Sequence, residues 1–441
     1  MKDSGIEWIG EIPKDWEVIR LKIICDLENG FSFKSCDYIE ESNTLCCRMS
    51  NIRPNGVFDI SYSKIYLPDS YVSKYKSYLL KDKDIIIAMT DMANAPKILG
   101  VPTEVKTDGY NLLLNQRVGK LIIKNNSINT LFLKYSMSSE SSKYYFTLLS
   151  DKNIQINLSK ENLLNMFITY PSLEEQELIA NYLDSKVSEI DNIISKTKET
   201  IEEYKKYKQS VITEAVTKGL NPNVEMKDSG IEWIGEIPKD WIITKVKHLS
   251  LVSRGASPRP IDDSKYFDEN GEYVWTRIAD ISKCNKYFTK HHEYMSELGS
   301  SKTVKIEENT LFLSICATVG KPIISKVKCC IHDGFVYFPE LNKKYNEFLY
   351  YIFESGLCFK GLGKMGTQLN LNTETVGNIS VPLPSDIEMN NIINFINKKC
   401  SKLDNLITKK EELITQLEAY KKSLIYECVT GKKEVSSAYA Y

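Results

Sequence analysis

The chain is poor in the residues that most often carry chemistry. Among 441 residues there are four histidines (His248, His291, His292 and His332) and seven arginines, and 57 lysines and arginines against 58 acids leave a formal net charge of −1. His291-His292-Glu293 lacks the H-E-x-x-H spacing that sets two ligands on one helical face, so no zinc site is expected. A near-neutral chain has no global basic field, which excludes a sequence-blind coat for nucleic acid. It still allows a specific reader whose partners supply much of the phosphate contact. No apolar run approaches the roughly 20 residues of a membrane span, and the N-terminus has no charged-then-apolar signal pattern. The eleven cysteines include the adjacent pairs Cys46-Cys47 and Cys329-Cys330 but no C-x-x-C. An odd count without a secretion signal points to reduced thiols and a cytoplasmic location with no membrane partner. There is no P-loop and no Asn/Asp-Pro-Pro-aromatic sequence of the kind that marks amino-methyltransferase sites. Gly361-Leu-Gly363-Lys-Met-Gly366 fits G-x-G-x-x-G, but it follows an amphipathic stretch (348–359) rather than a strand and reads as a turn. The expectation is a binding protein with no catalytic residue, metal or cofactor of its own.

What is present is a duplication. MKDSGIEWIGEIPKDW occupies residues 1–16 and recurs, letter for letter, at 226–241. Internal repeats decide the plan of a chain before any local reading. At the same offset of 225, Glu28-Asn29-Gly30 aligns with Ser253-Arg254-Gly255; at 229, Arg48-Met-Ser-Asn51-Ile52 resembles Arg277-Ile-Ala-Asp280-Ile281. Further on, Gln155-Ile-Asn157-Leu158 matches Gln368-Leu-Asn370-Leu371, and Pro171 matches Pro384. Both lie at 213, so the second variable stretch is 12 residues shorter, 225 less 213.

The 213 offset then runs without a gap through two long polar segments. Ile190, Ile193, Ile194, Ile201, Tyr204, Val211 and Ala215 form one heptad-like stripe. Leu403, Leu406, Ile407, Leu413, Ile414, Leu417, Leu424 and Cys428 form the other. Helices of this length extend about 65 Å, and the obvious partner of each is the other. Antiparallel pairing would hold the two variable regions at opposite ends and act as a ruler. Within the variable regions, 84–88 and 121–123 read as strands, Asn29-Gly30 and Pro54-Asn55-Gly56 as turns, and 131–149 as one helix. The fold class is α+β: two mixed α/β domains separated by two long antiparallel coiled-coil helices, with a pseudo-twofold internal repeat. The divisions are 1–171, conserved segment plus first variable domain; 172–225, first long helix and linker; 226–384, repeated segment plus second variable domain; and 385–441, second long helix and tail.

Four of the five tryptophans (Trp8, Trp16, Trp233 and Trp241) lie in the duplicated block. They read as core anchors, as a docking surface for a partner subunit, or as both. All seven arginines fall in the variable stretches 17–154 and 242–367, and none in the long helices or the block. Lysine confers solubility anywhere; the planar guanidinium suits bidentate recognition of guanine and phosphate. Arg254, Ser257 and Arg259, in a loop with Gly255, form the best local candidate for contacting DNA. Ser32 and Lys34 are its less basic counterparts. Asn115-Gln116-Arg117 is a second cluster, since Asn and Gln can be bidentate to adenine and Arg to guanine. Arg48, Arg53, Arg277, Gln368 and Asn370 complete the candidate set. The competing reading gives some of these arginines structural ion pairs.

The duplicated SGIEWIGEIPKDW, the two divergent domains, the QxNL-to-Pro stretch ahead of each long helix, and the paired helix ends EAVTKG and ECVTGK resemble the DNA-specificity subunit of Type I restriction-modification systems. The resemblance spans essentially the whole chain. It implies a non-enzymatic subunit with two target recognition domains, each reading one half of a bipartite sequence in double-stranded DNA, and helices that set the spacer between halves. It also implies two modification (methyltransferase) subunits that bind S-adenosylmethionine and methylate adenine, and restriction (translocase/endonuclease) subunits that use ATP and Mg. The competing expectation is a coiled-coil adapter with two protein-interaction domains.

Overall fold

A computed structural model of the chain describes residues 1–54, 56–92, 97–124, 127–149, 155–290, 292–362 and 371–436. The chain divides into two compact units, Met1–Thr197 with Glu412–Tyr441, and Lys198–Glu411. The long helices Leu173–Lys218 and Asp386–Val429 each contribute one half to each unit.

In unit 1 the duplicated block forms a small hairpin, Lys2–Asp3 against Glu11–Ile12, that turns through Gly5 and Gly10 in the left-handed region. Ile9, Ile12 and Trp16 point from it into the core. The strand that follows, Glu17–Arg20, pairs antiparallel with Phe167–Tyr170, and Pro171 then releases the chain into the first long helix. That helix opens with a reciprocal cap. Ser172 N–H and Oγ donate to Glu175 Oε2 (3.1 and 2.8 Å), and Glu175 N–H donates back to Ser172 Oγ (3.3 Å). The other oxygen of Glu175 accepts Trp16 Nε1–H at 3.1 Å.

Unit 2 repeats the device. Ile242–Lys245 pairs with Ser380–Leu383, Glu388 N–H donates to Ser385 Oγ, and Glu388 Oε2 accepts Trp241 Nε1–H at 2.9 Å. Each copy of the block also receives the end of a long helix. In unit 2 the first helix stops at Gly219 (φ +73°), where an added Cβ would lie 3.2 Å from Trp241. In unit 1 the second helix stops at Gly431 (φ +69°), where an added Cβ would lie 2.4 Å from Pro13 and 3.2 Å from Trp16. Only glycine meets both demands, a left-handed backbone and no room for a side chain.

The variable part of each unit is a two-sheet sandwich. Unit 1 orders its first sheet Pro102–Glu104, Ile85–Ala88, Val118–Ile123, Cys25–Asn29, all antiparallel. Its second sheet runs Tyr66–Leu67, Thr44–Cys47, Asn111–Leu114, Leu79–Leu80, with a parallel pair at the centre. Unit 2 matches this as Pro322–Ser325, Leu311–Ser314, Phe335–Tyr337, Ser253–Arg254, and as Tyr294–Met295, Tyr273–Thr276, Cys329–Ile331, Val304–Ile306. It adds one edge strand, Tyr287–Phe288. Alternation along Thr44–Cys47 sends Leu45 and Cys47 between the sheets and Cys46 to a small outer cluster with Phe33, Leu67 and Leu113. The cysteine pairs are therefore apolar strand residues, and burial pushes Cys46 and Cys330 up to about 11.

Three local expectations change. Residues 131–149 form two helices, Thr130–Ser138 and Glu140–Leu148, because Ser139 turns extended (ψ 157°) and its hydroxyl donates to Ser136 O. Asn29-Gly30 is a strand end pressed against another backbone, not a turn. The apolar stripes are narrower than the heptads imply. Ile190, Ile194, Ile201, Val211, Ala215, Leu403, Leu424 and Cys428 are buried, while Ile193, Leu406 and Leu413 are about 40% exposed. Thr197 takes a buried stripe position instead, with its hydroxyl donating to Ile193 O. Part of the Gly361–Gly366 stretch, residues 363–366, lies outside the described residues. The helices pair antiparallel. Asp191–Lys421 (2.5 Å) in unit 1 and Lys208–Asp404 (2.6 Å) in unit 2 have the same register.

Trp241→Ala removes an indole that is 1% exposed together with its bond to Glu388. It is expected to cost about 3–5 kcal/mol, and Trp233→Ala, at a half-buried position, much less. Urea unfolding followed by far-ultraviolet circular dichroism checks this; equal midpoints for the two variants would remove Trp241 as an anchor.

Candidate nucleic-acid interface

The described arginines concentrate where the two sheets meet. In unit 2, Gly255 follows strand Ser253–Arg254, and an added Cβ there would lie 2.1 Å from His332 O. The absence of a side chain lets segment 255–259 run against tip 332–334, which joins Cys329–Ile331 to Phe335–Tyr337. Three contacts hold the two together. Arg254 Nε donates to Asp333 O at 2.6 Å, Ser257 Oγ donates to Asp333 Oδ1 at 2.9 Å, and Arg259 Nη2 lies 3.9 Å from Asp333 Oδ2. A groove of about 520 Å³ opens beside them, lined by Ser257, Arg259, Trp275, Arg277, His332 and Asp333 among others. Arg277 closes one side through an ion pair to Glu293 (2.5 Å), and its N–H donates to Asp280 Oδ2 (3.3 Å). Both Arg277 and Glu293 are about half exposed, so their pairing adds little stability and mainly sets a direction. The Ser257 hydroxyl holds the Asp333 carboxyl below its ordinary range against the opposing effect of burial, with His332 and Arg254 adding to it.

Unit 1 has the same construction with other side chains. An added Cβ at Gly30 would lie 2.3 Å from Asn115 O, and Gln116 N–H donates to Phe31 O (3.0 Å), which locks segment 31–34 to tip 115–117. Gln116 and Arg117 are exposed, while half-buried Asn115 accepts Arg117 N–H at 3.3 Å. Ser32 and Lys34 are exposed beside them, Lys34 with its N–H donating to Asp37. Arg48 occupies the position of Arg277, and its N–H donates to Asn51 Oδ1 at 2.8 Å. The Arg53 guanidinium sits 4.2 Å over the Tyr62 ring with Asp59 at 3.9 Å. An aromatic cluster of Phe31, Phe33, Tyr71, Tyr75 and Tyr78 flanks the segment, with Lys74 about 5 Å over two of the rings.

The family model for the Type I restriction modification DNA specificity domain matches twice, over residues 13–203 and 238–419. The chain belongs to that family. It is similar to the MjaVIII specificity subunit of Methanocaldococcus jannaschii, 36% identical over 45% of each chain. It is also similar to the putative MjaX specificity subunit of the same organism, 27% identical over 97% of this chain and 96% of the relative. The EcoBI specificity subunit of Escherichia coli is 20% identical over 98% and 89%. A solved structure described as showing complex assembly and conformational transition of the type I R-M system shares the fold. Its TM-score is 0.70 at 16% identity, covering 96% of this chain and 100% of that one. Type I specificity subunits are non-catalytic, their active sites lying in separate subunits, and this chain is one of them.

Within this specificity subunit the sequence candidates sort by position. Arg254, Ser257, Arg259 and Arg277 come together in unit 2, and Ser32, Lys34, Asn115, Gln116 and Arg117 in unit 1. Arg48 and Arg53 stand on the neighbouring segment of unit 1. Gln368 and Asn370 lie outside the described residues. Trp16 and Trp241 are buried anchors, 4% and 1% exposed, and cannot present a surface; Trp8 and Trp233 are half-buried and reach it. Arg20 is structural: it bonds Asn165 and lies over Phe167. Sequence reasoning missed Asp333, His332, Trp275, Glu293 and the unit 1 aromatics. Asp333-Gly334 between two apolar runs was a legible hairpin signal for the tip. Among the described residues no group of three His, Cys, Asp or Glu side chains could hold a metal ion, and no helix is long and apolar enough to cross a membrane.

His332 gives a pH prediction. Burial holds its imidazole below the ordinary 6.5, opposed by Asp333, and Nδ1 accepts Gly334 N–H at 2.8 Å, a bond that only the neutral ring can make. The unfolded chain then takes up this proton first. The contribution of His332 is therefore complete above pH 6.5 and is lost as pH falls through the folded value, at no more than about 1.4 kcal/mol per pH unit. Titration of the ring by nuclear magnetic resonance checks the sign; a value at or above 6.5 would mean that Asp333 outweighs burial.

Proposed function

We propose that each unit reads one half of an asymmetric bipartite target in double-stranded DNA, and that the antiparallel long helices set the spacer between the halves. The observation that carries this reading is the pairing of one scaffold with two chemistries. The same glycine-locked segment, the same tip and the same arginine position (Arg48, Arg277) recur in both units, while the exposed side chains differ. Constant geometry with variable side chains is what reading two unlike half-sites requires, phosphate contacts setting register and base contacts setting sequence.

The partners follow from what does not vary. Unit 1 exposes Ile193 and Tyr420 within two residues of the Asp191–Lys421 pair, and unit 2 exposes their equivalents, Leu406 and Tyr207, within two residues of Asp404–Lys208. Exposed apolar residues repeated at equivalent positions suit two copies of one partner. With the half-buried Trp8 and Trp233, they are the surface we assign to two modification subunits. Those subunits would carry S-adenosylmethionine and flip the target adenine from the duplex, and restriction subunits would supply ATP- and Mg-dependent translocation and cleavage. A net charge of −1 accords with weak DNA binding by this chain alone.

Replacing residues 17–154 by the corresponding stretch of another specificity subunit is expected to change one half-site only. Mapping methylated adenines in cells that also carry the modification partner checks this, and a change in both halves would end the two-reader model. In the same assay, a heptad added to each long helix lengthens the pair by about 10 Å and is expected to widen the spacer by about three base pairs or to abolish methylation. An unchanged spacer with full methylation would contradict the ruler.

A further inference from the structure

The tips 115–117 and 332–334 occupy the same place in the fold but carry different chemistry. Unit 1 offers Asn115, Gln116 and Arg117, with no carboxylate. Unit 2 offers His332, Asp333 and Gly334. Position 334 cannot hold an arginine as 117 does, because an added Cβ would lie 2.4 Å from the His332 ring and 2.5 Å from Cys316 Sγ. The cations come instead from the adjoining segment as Arg254 and Arg259, and Arg259 is 84% exposed. An acid thus stands among the groups that face the groove, where a phosphate would repel it.

We propose that Asp333 is a specificity-determining residue of unit 2, and that with Arg259 it selects a C·G base pair; this rests on the DNA-reading assignment above. The carboxylate has one oxygen occupied by Ser257, and the other lies 3.9 Å from Arg259, too far for a hydrogen bond, which leaves both groups capacity for a third party. A carboxylate only accepts, so it gains from DNA solely where the duplex offers a donor: the exocyclic amino group of cytosine or adenine in the major groove. Arg259 only donates, and its fork matches O6 and N7 of guanine. Cytosine and guanine present these complementary edges on a single pair. An A·T pair offers the amino group but sets thymine O4 and a methyl group beside it, leaving the fork without its bidentate partner. At neutral pH Asp333 is ionised, as an ordinary carboxyl is, and the Ser257 bond further favours that accepting form. Unit 1 has no acid at this tip, so the dependence is confined to one half of the target.

The bland role is a brace that holds Ser257 and, through its backbone oxygen, Arg254. Asp333→Asn separates the two. An asparagine keeps the backbone oxygen, an acceptor for Ser257 and the side-chain shape, but replaces the second acceptor by a donor. Methylated adenines are mapped in cells carrying the modification partner with the wild-type chain or the variant, and the mass of each purified complex is measured to confirm assembly. The expected result is an assembled complex whose discrimination for C·G falls about 10- to 100-fold at one position of one half-site, with the other half and the spacer unchanged. An unchanged motif would overturn the proposal, since a brace that asparagine preserves predicts it, and so would a uniform loss of methylation from an assembled variant, which would tie Asp333 to no particular base pair. A wild-type chain that directs no bipartite motif would instead defeat the DNA-reading assignment itself.

Discussion

An indole N–H bonded to the first-turn carboxylate of a long helix is the contact on which the rest of each unit depends. Trp16 meets Glu175 and Trp241 meets Glu388. In unit 1 the Glu175 carboxylate also accepts from Ser172 in the cap of the helix, and in unit 2 Glu388 joins the cap through its N–H, donated to Ser385 Oγ, so each indole fastens the duplicated block to the start of a long helix. The negative charge at a helix N-terminus is favourable in itself. The same tryptophan lies against the glycine that stops the other helix, at Gly431 in unit 1 and Gly219 in unit 2. A block with these duties cannot change without disturbing two helices, which gives a physical reason for its identity in the two copies.

The sandwich of each unit carries the opposite burden. Several of its strands bury every side chain between sheets or against the helices, as in Ile85–Ala88 and Leu311–Ser314, where all four residues are buried. The segments that leave the strands are therefore where the exposed candidate side chains gather, and backbone contacts help to fix their mutual position, joined in unit 2 by the side-chain bonds to Asp333. Gly30 and Gly255 make this possible, since segment and tip approach too closely for any Cβ. With the backbone held this way, exposed side chains can differ between units without moving the loops. Asn115-Gln116-Arg117 and His332-Asp333-Gly334 show how far they do differ.

Much of the fold was legible because duplication is a property of the string. Equal offsets located the stretch ahead of each long helix and the helices themselves, and the 3.5-residue apolar spacing implied their pairing. Legibility ended where a residue's role depends on a distant neighbour. Asn29-Gly30 carries a turn signal, yet Gly30 serves a close backbone approach to Asn115, 85 positions away. Ile193 and Leu406 fit the heptads, yet they face outward, because the partner covers only the narrower stripe through Ile190, Ile194 and Leu403. A run of serines around Ser139 broke a helix that the apolar pattern continued, since hydroxyl bonds to the backbone compete with helical ones.

The amino-acid sequence by itself determined the two-fold plan, the long helices, the duplicated block as the constant part and the variable stretches as the arginine-bearing part. These follow from repetition and periodicity, which are local. The tertiary structure alone decided which candidates meet: that Arg254, Ser257 and Arg259 converge on Asp333, that Arg277 pairs with Glu293, that Arg20 is structural, and that Trp16 and Trp241 are anchors while Trp8 and Trp233 reach the surface. Those pairings join residues 16 to 159 positions apart, and packing, which brings such residues together, is not a local property of the chain.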